Sequence, residues 1–145
     1  MRVVLQRSKQ ASVSVNKKIV GEISNGLVIL VGFTKGDTKE EIDYLANKII
    51  NLRIFDDDNS IMNKSLLDIN GEILSISQFT LYADTKSGRR PSYIKALNGN
   101  EAIKLYDEFN KCLKDNGIKV ATGIFGSDMQ VSLINDGPVT ITLEK

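Results

Sequence analysis

The chain contains no histidine among its 145 residues, and this absence removes several kinds of chemistry. Without an imidazole there is no Ser-His or Cys-His nucleophile pair, no histidine base and no His-ligated zinc. The single cysteine, Cys112, excludes a disulfide framework and a Cys-rich metal site, and its helical context predicts partial burial. The acidic run at residues 56–59 lacks the ligand spacing of an EF-hand and is interpreted as a polar hairpin tip. We therefore expect no metal and no cofactor.

Long apolar runs and a strong net charge are also missing. The longest apolar stretch, residues 27–31, is far too short to span a bilayer, and the N-terminus lacks the pattern of a cleaved signal sequence. We expect a soluble, cytoplasmic protein that makes no membrane contact. Nineteen basic and eighteen acidic residues leave no global positive field for nucleic acid, so any RNA contact has to be local.

The pattern of apolar and polar residues predicts one mixed α/β domain over residues 1–145. Alternation and turn signals predict an opening hairpin and a buried central strand, over residues 3–15, 19–23 and 27–33. Asp37 or Thr38 can cap a first helix, and a second helix covers about residues 100–116, with Gly117 as a C-cap. Further strands are predicted at residues 72–82, 119–122, 128–135 and 139–143. Two helices among seven or eight strands favour a mixed sheet with helices on one side, or a distorted barrel.

Three short segments carry the functional interpretation. Residues 135–141 read Asn-Asp-Gly-Pro-Val-Thr-Ile and place Gly137-Pro138 between two predicted strands, where proline cannot donate to a sheet and glycine permits close approach to the backbone. Taken alone, this pair reads as a turn. Residues 77–84 read Ser-Gln-Phe-Thr-Leu-Tyr-Ala-Asp, and residues 125–133 read Phe-Gly-Ser-Asp-Met-Gln-Val-Ser-Leu. In their order and spacing, these segments resemble the D-aminoacyl-tRNA deacylases, and the resemblance extends from Arg2 to Leu143.

The resemblance implies a fold, an assembly and a reaction. The fold would be a three-layer arrangement of two sheets and one helical layer, and the assembly a homodimer. The substrate would be the ester that joins an amino acid to the terminal adenosine of a tRNA, and its hydrolysis would free a D-amino acid and the tRNA.

The same resemblance implies that Gly137-Pro138 acts as a chiral filter. The pair would be held cis and inserted from one subunit into the active site of the other, where its main-chain oxygens exclude an L-side chain. A D-side chain would point outward, and glycine would pass. Arg7 would brace this element, because a rigid guanidinium can hold carbonyl oxygens in a fixed direction. Without the resemblance, Arg7 would be interpreted as an exposed strand arginine.

The resemblance places the scissile ester among Ser77, Gln78, Phe79 and Thr80. Thr80 is a candidate nucleophile, but the chain has no histidine to activate it. We therefore favour attack by water, oriented by the pocket or by the substrate's own 2′-hydroxyl. The N–H groups of this strand near Phe79 and Thr80 would then serve as oxyanion donors, and the Thr80 hydroxyl would position the reacting groups.

Contacts with the tRNA are assigned to two groups of residues. Phe125 and Met129 would hold the terminal adenine, although alone they would be interpreted as core residues. Lys86, Arg89 and Arg90 follow the Ser-Gln-x-Thr segment directly, which favours phosphate contact over a solvated loop.

Two other functions remain open from the sequence. A non-catalytic RNA- or DNA-associated module could keep the fold and use the pocket only to bind, although the intact motifs argue against it. A related editing enzyme that removes L-alanine from tRNA uses the same scaffold with a trans Gly-Pro and a different supporting residue. Arg7 favours the D-specific form, and the geometry of the Gly137-Pro138 bond separates the two.

Overall fold

The chain begins with an antiparallel hairpin that leads into a central strand. A computed structural model describes residues 1–145, in which β1 covers Arg2–Val15, β2 covers Lys18–Ile23 and β3 covers Gly26–Gly32. The turn after β1 uses Asn16 and Lys17, whose φ angles of 49° and 63° give the two-residue turn that matches the twist of a hairpin. All but one of the β3 residues are buried. The predicted hairpin and buried central strand are confirmed.

Six of the eight strands form one mixed sheet. β6 (Glu72–Ser77) runs parallel to β3, β7 (Lys119–Thr122) runs parallel to β6, and β8 (Gln130–Glu144) pairs antiparallel with β1. The other two strands, β4 (Phe55–Asp56) and β5 (Met62–Lys64), form a separate hairpin. Its tip holds the acidic run, where the Asp57 carboxylate accepts hydrogen bonds from the N–H groups of Asn59 and Ile61. The predicted polar hairpin tip is confirmed.

The sheet curls until β2 and β7 approach each other. A Cβ atom on Gly21 of β2 would lie 2.5 Å from the carbonyl oxygen of Thr122 in β7, so only glycine permits this approach. Lys119 of β7 also pairs with Glu72 at 2.6 Å, and Glu72 accepts a hydrogen bond from the N–H of Ser24, just after β2. These contacts nearly close the sheet into a barrel-like form, as the fold prediction allowed.

Two helices, α1 (Lys39–Asn51) and α2 (Gly99–Asp115), pack against each other on one side of the sheet. Thr38 caps α1, because the Asp37 carboxylate turns back to accept a hydrogen bond from the N–H of Thr34. Gly117, with a φ of 84°, follows α2 as predicted. The apolar face predicted for α2 is buried or half-buried except at Ile103, which is 37% exposed. Neither helix has the length and apolarity needed to cross a membrane.

Two cores divide the fold into layers. The larger core, of 21 buried residues, lies between the sheet and the two helices. The smaller core lies inside the curl of the sheet and consists of Ala11, Val13, Ile23, Val28, Leu74 and Ile76. The chain therefore has a curled sheet with an apolar interior and a helical layer on one outer face, which agrees with the three-layer α/β fold that the resemblance implies.

The strand predicted at residues 72–82 is too long. β6 ends at Ser77, and Phe79–Tyr82 form a short 3-10 helix. The neighbouring strand β3 ends at Gly32, so residues beyond Gln78 have no strand to pair with after the N–H of Gln78 donates to the carbonyl of Val31 at 2.7 Å.

The two strands predicted on either side of Gly137-Pro138 are a single strand, β8. Gln6 of β1 pairs with Thr140 and Ser8 pairs with Asn135, so Arg7 alone lies opposite residues 136–139. We call these four residues the Gly-Pro bulge. Pairing with β1 continues on both sides of the bulge, and the Val139 N–H donates to the Asn135 side-chain oxygen at 3.0 Å instead of to β1.

Candidate active site

A cleft of about 580 Å³ opens where β3 and β6 end. Because these strands are parallel, their carboxyl ends lie at the same edge of the sheet and the segments that follow them face each other. Ser77, Gln78 and Phe79 line the cleft from one side, and Phe125 and Met129 line it from the loop after β7. Five of the residues predicted from the two motifs are therefore brought together.

The 3-10 helix presents unpaired N–H groups beside the cleft. Leu81 is the first residue whose N–H donates within this turn, to the carbonyl of Gln78 at 3.3 Å. The N–H groups of Phe79 and Thr80 precede it, in the first turn, where a helix offers them no acceptor. Gly32 lets the turn approach β3, since a Cβ atom there would lie 2.8 Å from the Gln78 carbonyl oxygen. Adjacent free N–H groups of this kind can stabilise an oxyanion.

The far end of the 3-10 helix is held by Arg2. Its guanidinium donates to the carbonyl of Leu81 at 3.1 Å and lies 4.6 Å from the centre of the Tyr82 ring. Burial raises the pKa of Tyr82 to about 12, so its hydroxyl stays protonated at neutral pH. The turn is therefore fixed at both ends by contacts with β1 and β3, which preorganises its N–H groups.

The Thr80 hydroxyl contacts the Gln78 side chain. The Gln78 side-chain amide donates to the Thr80 oxygen at 2.5 Å, and no carboxylate or amine is within hydrogen-bonding distance of that oxygen. Thr80 does not line the cleft. Since a threonine nucleophile needs a base, this geometry suits a positioning role in which Thr80 fixes the Gln78 side chain.

Phe125 and Met129 are half-buried at the cleft wall. The Phe125 ring lies 5.8 Å from the Tyr106 ring, centre to centre, with a tilt of 46°. Met129 lies over Gly123, where any side chain would overlap its sulfur atom. Each residue packs against a core on one side and faces the cleft on the other, so each offers an apolar surface to a flat ligand.

The Gly-Pro bulge lies apart from this cleft. The Gly137–Pro138 peptide bond is cis, the geometry that the resemblance implies. Both residues are exposed at the surface, and neither lines the cleft of its own chain.

Arg7 is buried beneath the Gly-Pro bulge, with only 9% of its side chain exposed. The interpretation of Arg7 as an exposed strand residue is therefore wrong. Its guanidinium donates to the carbonyl of Asp136 at 2.9 Å, to the carbonyl of Ile54 at 2.9 Å and to the carboxylate of Asp56 at 3.3 Å. The register of β1 and β8 explains this placement, because Arg7 is the one residue of β1 that faces the bulge.

Lys86, Arg89 and Arg90 lie in an exposed loop that follows the 3-10 helix. Asp84 and Ser92 close the base of this loop through two backbone hydrogen bonds of 2.8 and 2.9 Å. None of the three cations forms an ion pair, so each has a free charge to offer an anionic partner.

The sequence motifs did not indicate several residues that shape the site. The Tyr93 ring lies 5.1 Å from the Phe79 ring at an angle of 69° and lines the cleft. The only feature of the sequence that could have indicated Tyr93 was its position in a loop just after the basic residues. The main-chain carbonyl groups of Ile54 and Asp136 accept hydrogen bonds from Arg7. Because every residue has a main-chain carbonyl, the sequence cannot indicate which ones bind Arg7. No group of three or more His, Cys, Asp or Glu side chains could hold a metal ion.

Known proteins resemble the chain over its whole length. The family model described as D-Tyr-tRNA(Tyr) deacylase matches residues 4–144. A D-aminoacyl-tRNA deacylase from Thermosipho africanus is 60% identical over 144 residues, which cover 99% of this chain and 97% of that protein. Another, from Bacillus cytotoxicus, is 56% identical over 144 residues and 99% of both chains.

Solved structures show the same architecture. The c-Myc DNA unwinding element binding protein superposes with a TM-score of 0.94 at 37% identity, covering 100% of this chain and 99% of that one. A probable eukaryotic D-amino acid tRNA deacylase superposes with a TM-score of 0.85 at 20% identity, covering 98% and 97%, which supports the fold alone. With its motifs gathered at one cleft and a family match over nearly its full length, the chain belongs to the D-Tyr-tRNA(Tyr) deacylase family.

Proposed function

We propose that this chain hydrolyses the ester between a D-amino acid and the terminal adenosine of tRNA, and thereby removes D-amino acids from translation. As a member of its family it is a deacylase, which is a hydrolase of carboxylic ester bonds. The observation that carries the proposal is the pair of free N–H groups, at Phe79 and Thr80, beside a cleft walled by Phe125 and Met129. This arrangement offers an oxyanion site and a base-binding surface on the two sides of one cavity.

The activation barrier that the protein has to lower is modest, because an aminoacyl ester is already activated. Water attacks the ester carbonyl, a carbon–oxygen bond forms, and the N–H groups of Phe79 and Thr80 stabilise the developing oxyanion. The bond to the ribose oxygen then breaks and that oxygen takes up a proton. The substrate's own 2′-hydroxyl is well placed to orient the water, since it lies beside the ester. Ser77 and Gln78 border the reacting carbonyl, and Thr80 holds the Gln78 amide.

The chiral filter is supplied by a second copy of the chain. The Gly-Pro bulge is exposed and does not line the cleft of its own chain, so a complete site needs another subunit to bring the bulge to the cleft. We therefore propose a homodimer with its active sites at the subunit interface. Arg7 supports this role because its guanidinium fixes the carbonyl of Asp136, which is the first residue of the bulge.

Selection by the bulge works through exclusion. Main-chain oxygens of Gly137-Pro138 would meet the substituents of the substrate's α-carbon, and an L-side chain would collide with them. A D-side chain points outward, so many D-amino acids fit, and glycine is accepted because it has no side chain. The exposed cations Lys86, Arg89 and Arg90 would contact tRNA phosphates. The enzyme would consist of one domain, residues 1–145, and would act in the cytoplasm, where aminoacyl-tRNA is used.

The proposal is tested by deacylation of matched D-tyrosyl- and L-tyrosyl-tRNA, with L-alanyl- and glycyl-tRNA as further substrates and a metal chelator present throughout. Rapid loss of the D-ester and the glycyl ester alone is the expected result. Cleavage of both tyrosyl esters would contradict the filter, and cleavage of L-alanyl-tRNA would assign the chain to the L-alanine editing activity. Binding of tRNA with no cleavage of any ester would indicate a binding module.

The interface location has its own test, which mixes two variants. In Gly137→Ala, the new Cβ would lie 2.8 Å from a methyl carbon of Val139 and 3.1 Å from the Arg7 guanidinium, so the bulge shifts and L-tyrosyl-tRNA should be cleaved. An excess of a Gln78→Ala variant that cleaves neither ester should then suppress L-cleavage, because mixed dimers combine its intact bulge with the active cleft of its partner. If the discrimination of Gly137→Ala does not change on mixing, the filter acts within one chain.

A further inference from the structure

A half-buried asparagine, Asn135, links the two ends of the Gly-Pro bulge. It is the residue just before the bulge, and its side-chain oxygen accepts a hydrogen bond from the N–H of Val139, the last residue of the bulge, at 3.0 Å. The Asn135 side-chain nitrogen donates to the Thr140 hydroxyl oxygen at 3.0 Å, and Gln6 of β1 donates to the same oxygen at 3.1 Å. The chain on the far side of the bulge is therefore tied back to the residue at which the bulge begins.

Pairing with β1 does not fix the shape of the bulge. Four residues, 136–139, lie opposite Arg7 alone, whereas an ordinary bulge places two residues opposite one. The backbone of these four residues is longer than the gap that it crosses, so it has to leave the line of the strand. Its conformation is then set by side-chain contacts and not by the hydrogen bonds of the sheet.

Arg7 and Asn135 act on different peptide units of the bulge. The Arg7 guanidinium holds the carbonyl of Asp136, at the start of the bulge. The N–H of Val139 belongs to the same peptide unit as the carbonyl of Pro138. Because this unit is planar and trans, its N–H and C=O groups point in opposite directions. The hydrogen bond to Asn135 therefore turns the Pro138 carbonyl oxygen away from Asn135 and holds it there.

An asparagine suits this position because its amide carries an acceptor and a donor on one short side chain. The N–H of Val139 can only donate, so the amide oxygen faces Val139 and the amide nitrogen faces the Thr140 oxygen. An aspartate would keep the acceptor, and the Thr140 hydroxyl can turn to donate to it, whereas an alanine removes both contacts. Replacement by aspartate and by alanine therefore separates the hydrogen bond to Val139 from the other properties of the side chain.

We propose that Asn135 aims the Pro138 carbonyl oxygen and is thereby a positioning residue for the rejection of L-esters. The inference rests on the proposed function, in which main-chain oxygens of the Gly-Pro bulge exclude an L-side chain. Exclusion by collision works only while the colliding atom cannot yield. When the contact with Asn135 is lost, the peptide unit after Pro138 can rotate and an L-side chain can enter. A D-side chain points outward and does not depend on where this oxygen lies.

The test compares Asn135→Ala and Asn135→Asp with the wild-type chain in the deacylation of D-tyrosyl- and L-tyrosyl-tRNA. In Asn135→Ala, kcat/KM for the L-ester should rise while kcat/KM for the D-ester is retained, so that the D-to-L ratio falls about fivefold, the factor that corresponds to one net hydrogen bond. Asn135→Asp should keep the wild-type ratio. Destabilisation alone cannot produce this pattern, because it lowers the cleavage of both esters together.

Hydrogen exchange of the Val139 amide, followed by NMR, reports the contact itself. Exchange should be about fivefold faster in Asn135→Ala than in the wild-type chain and in Asn135→Asp. Asn116→Ala is the matched control, because the Asn116 side chain also bonds to the main chain, donating to the carbonyl of Cys112 at 2.8 Å, but does so at the end of α2. This control should keep both the wild-type D-to-L ratio and the wild-type exchange at Val139.

An unchanged D-to-L ratio in Asn135→Ala would overturn the inference and leave the proposed function intact, as would unchanged exchange at Val139. The inference would also fail if Asn135→Asp lost as much discrimination as Asn135→Ala. A wild-type chain that cleaves neither ester, or cleaves both equally, would remove the proposed function itself, and the wild-type assay shows that failure before any variant is made.

Discussion

Replacing Arg7 should both destabilise the chain and relax its chiral discrimination. Its side chain is 9% exposed and donates to the carbonyls of Asp136 and Ile54, each at 2.9 Å. A hydrogen bond to a charged donor contributes about 1.5–3 kcal/mol net, so losing two costs about 3 kcal/mol at the lower limit. The carboxylates of Asp56 and Asp136 are 47% and 39% exposed, so they rehydrate and add little. Arg7→Ala should therefore lower the free energy of unfolding by about 3 kcal/mol.

Arg7→Lys separates charge from geometry. An ammonium keeps the charge but reaches one of the two carbonyls, so about half of the loss, ~1.5 kcal/mol, should remain. Urea unfolding at one fixed protein concentration measures both values, since dimerisation would make stability depend on concentration. The ratio of D-tyrosyl- to L-tyrosyl-tRNA cleavage should fall in both variants, and further in Arg7→Ala.

Arg53→Ala is the control for these variants. Arg53 is exposed and donates to the carbonyl of Asn63 at 2.7 Å, so its removal should change stability by less than about 1 kcal/mol and leave the chiral ratio unaltered. If Arg7→Ala were no more destabilising than Arg53→Ala and equally selective, Arg7 could not be the residue that fixes the Gly-Pro bulge.

Three further perturbations probe other parts of the chain. Tyr106→Phe leaves the Ser75 carbonyl with only the longer, 3.4 Å hydrogen bond from the N–H of Gly123 and should cost about 1 kcal/mol in urea unfolding, with the fold retained. A neutral result would mean that the tyrosine hydroxyl adds nothing to this carbonyl's pairing. Hydrogen bonds, chiefly from a lysine and then from a backbone N–H, hold the pKa of Glu72 below its ordinary 4.5 in the folded state. The stability that this lowered pKa adds is present above pH 4.5 and is lost as the pH falls through the lower folded pKa. Glu72→Gln should therefore flatten the plot of unfolding free energy against pH on its acid side, and an unchanged slope of that plot would contradict the pKa shift. Replacing Arg89 and Arg90 by alanine should weaken binding to all tRNAs alike and reduce the slope of log affinity against log salt by about 1.5, whereas an unchanged slope would remove these residues from the interface.

The elements that the sequence predicted well are those specified by local signals. The hairpin of β1 and β2 needs only alternation and a short polar turn, and the buried strand β3 needs only its apolar run. The start of α1 was left between Asp37 and Thr38, because both residue types can cap a helix. In the structure the Asp37 carboxylate accepts from the N–H of Thr34 and pairs with the N-terminal ammonium of Met1 at 2.6 Å, and the second of these is a tertiary contact that no local pattern contains.

The errors arise where a partner strand decides the conformation. Residues 78–82 continue the alternation of β6, but β3 ends at Gly32 and the chain turns into the 3-10 helix instead. Gly137-Pro138 reads as a strand breaker, but pairing of β8 with β1 on both sides keeps the strand continuous. The burial of Arg7 follows from that same register, which places it opposite four residues. The motifs indicated residues that the structure gathers at the cleft and the cis geometry of Gly137–Pro138, but not the end of β6 or the bulge in β8, because these depend on the neighbouring strands β3 and β1.

The contact between Arg7 and Asp136 joins residues that are 129 positions apart in the chain. During synthesis Arg7 leaves the ribosome early, and the bulge that it holds is made almost last. Strand β8, which flanks the bulge on both sides, pairs along the strand that carries Arg7 and is equally late. A nascent chain can therefore offer Arg7 the acceptors of Ile54 and Asp56 early, but the Asp136 carbonyl only when translation is nearly complete. The Gly-Pro bulge, and with it the proposed rejection of L-esters, is therefore complete only when the last strand is in place.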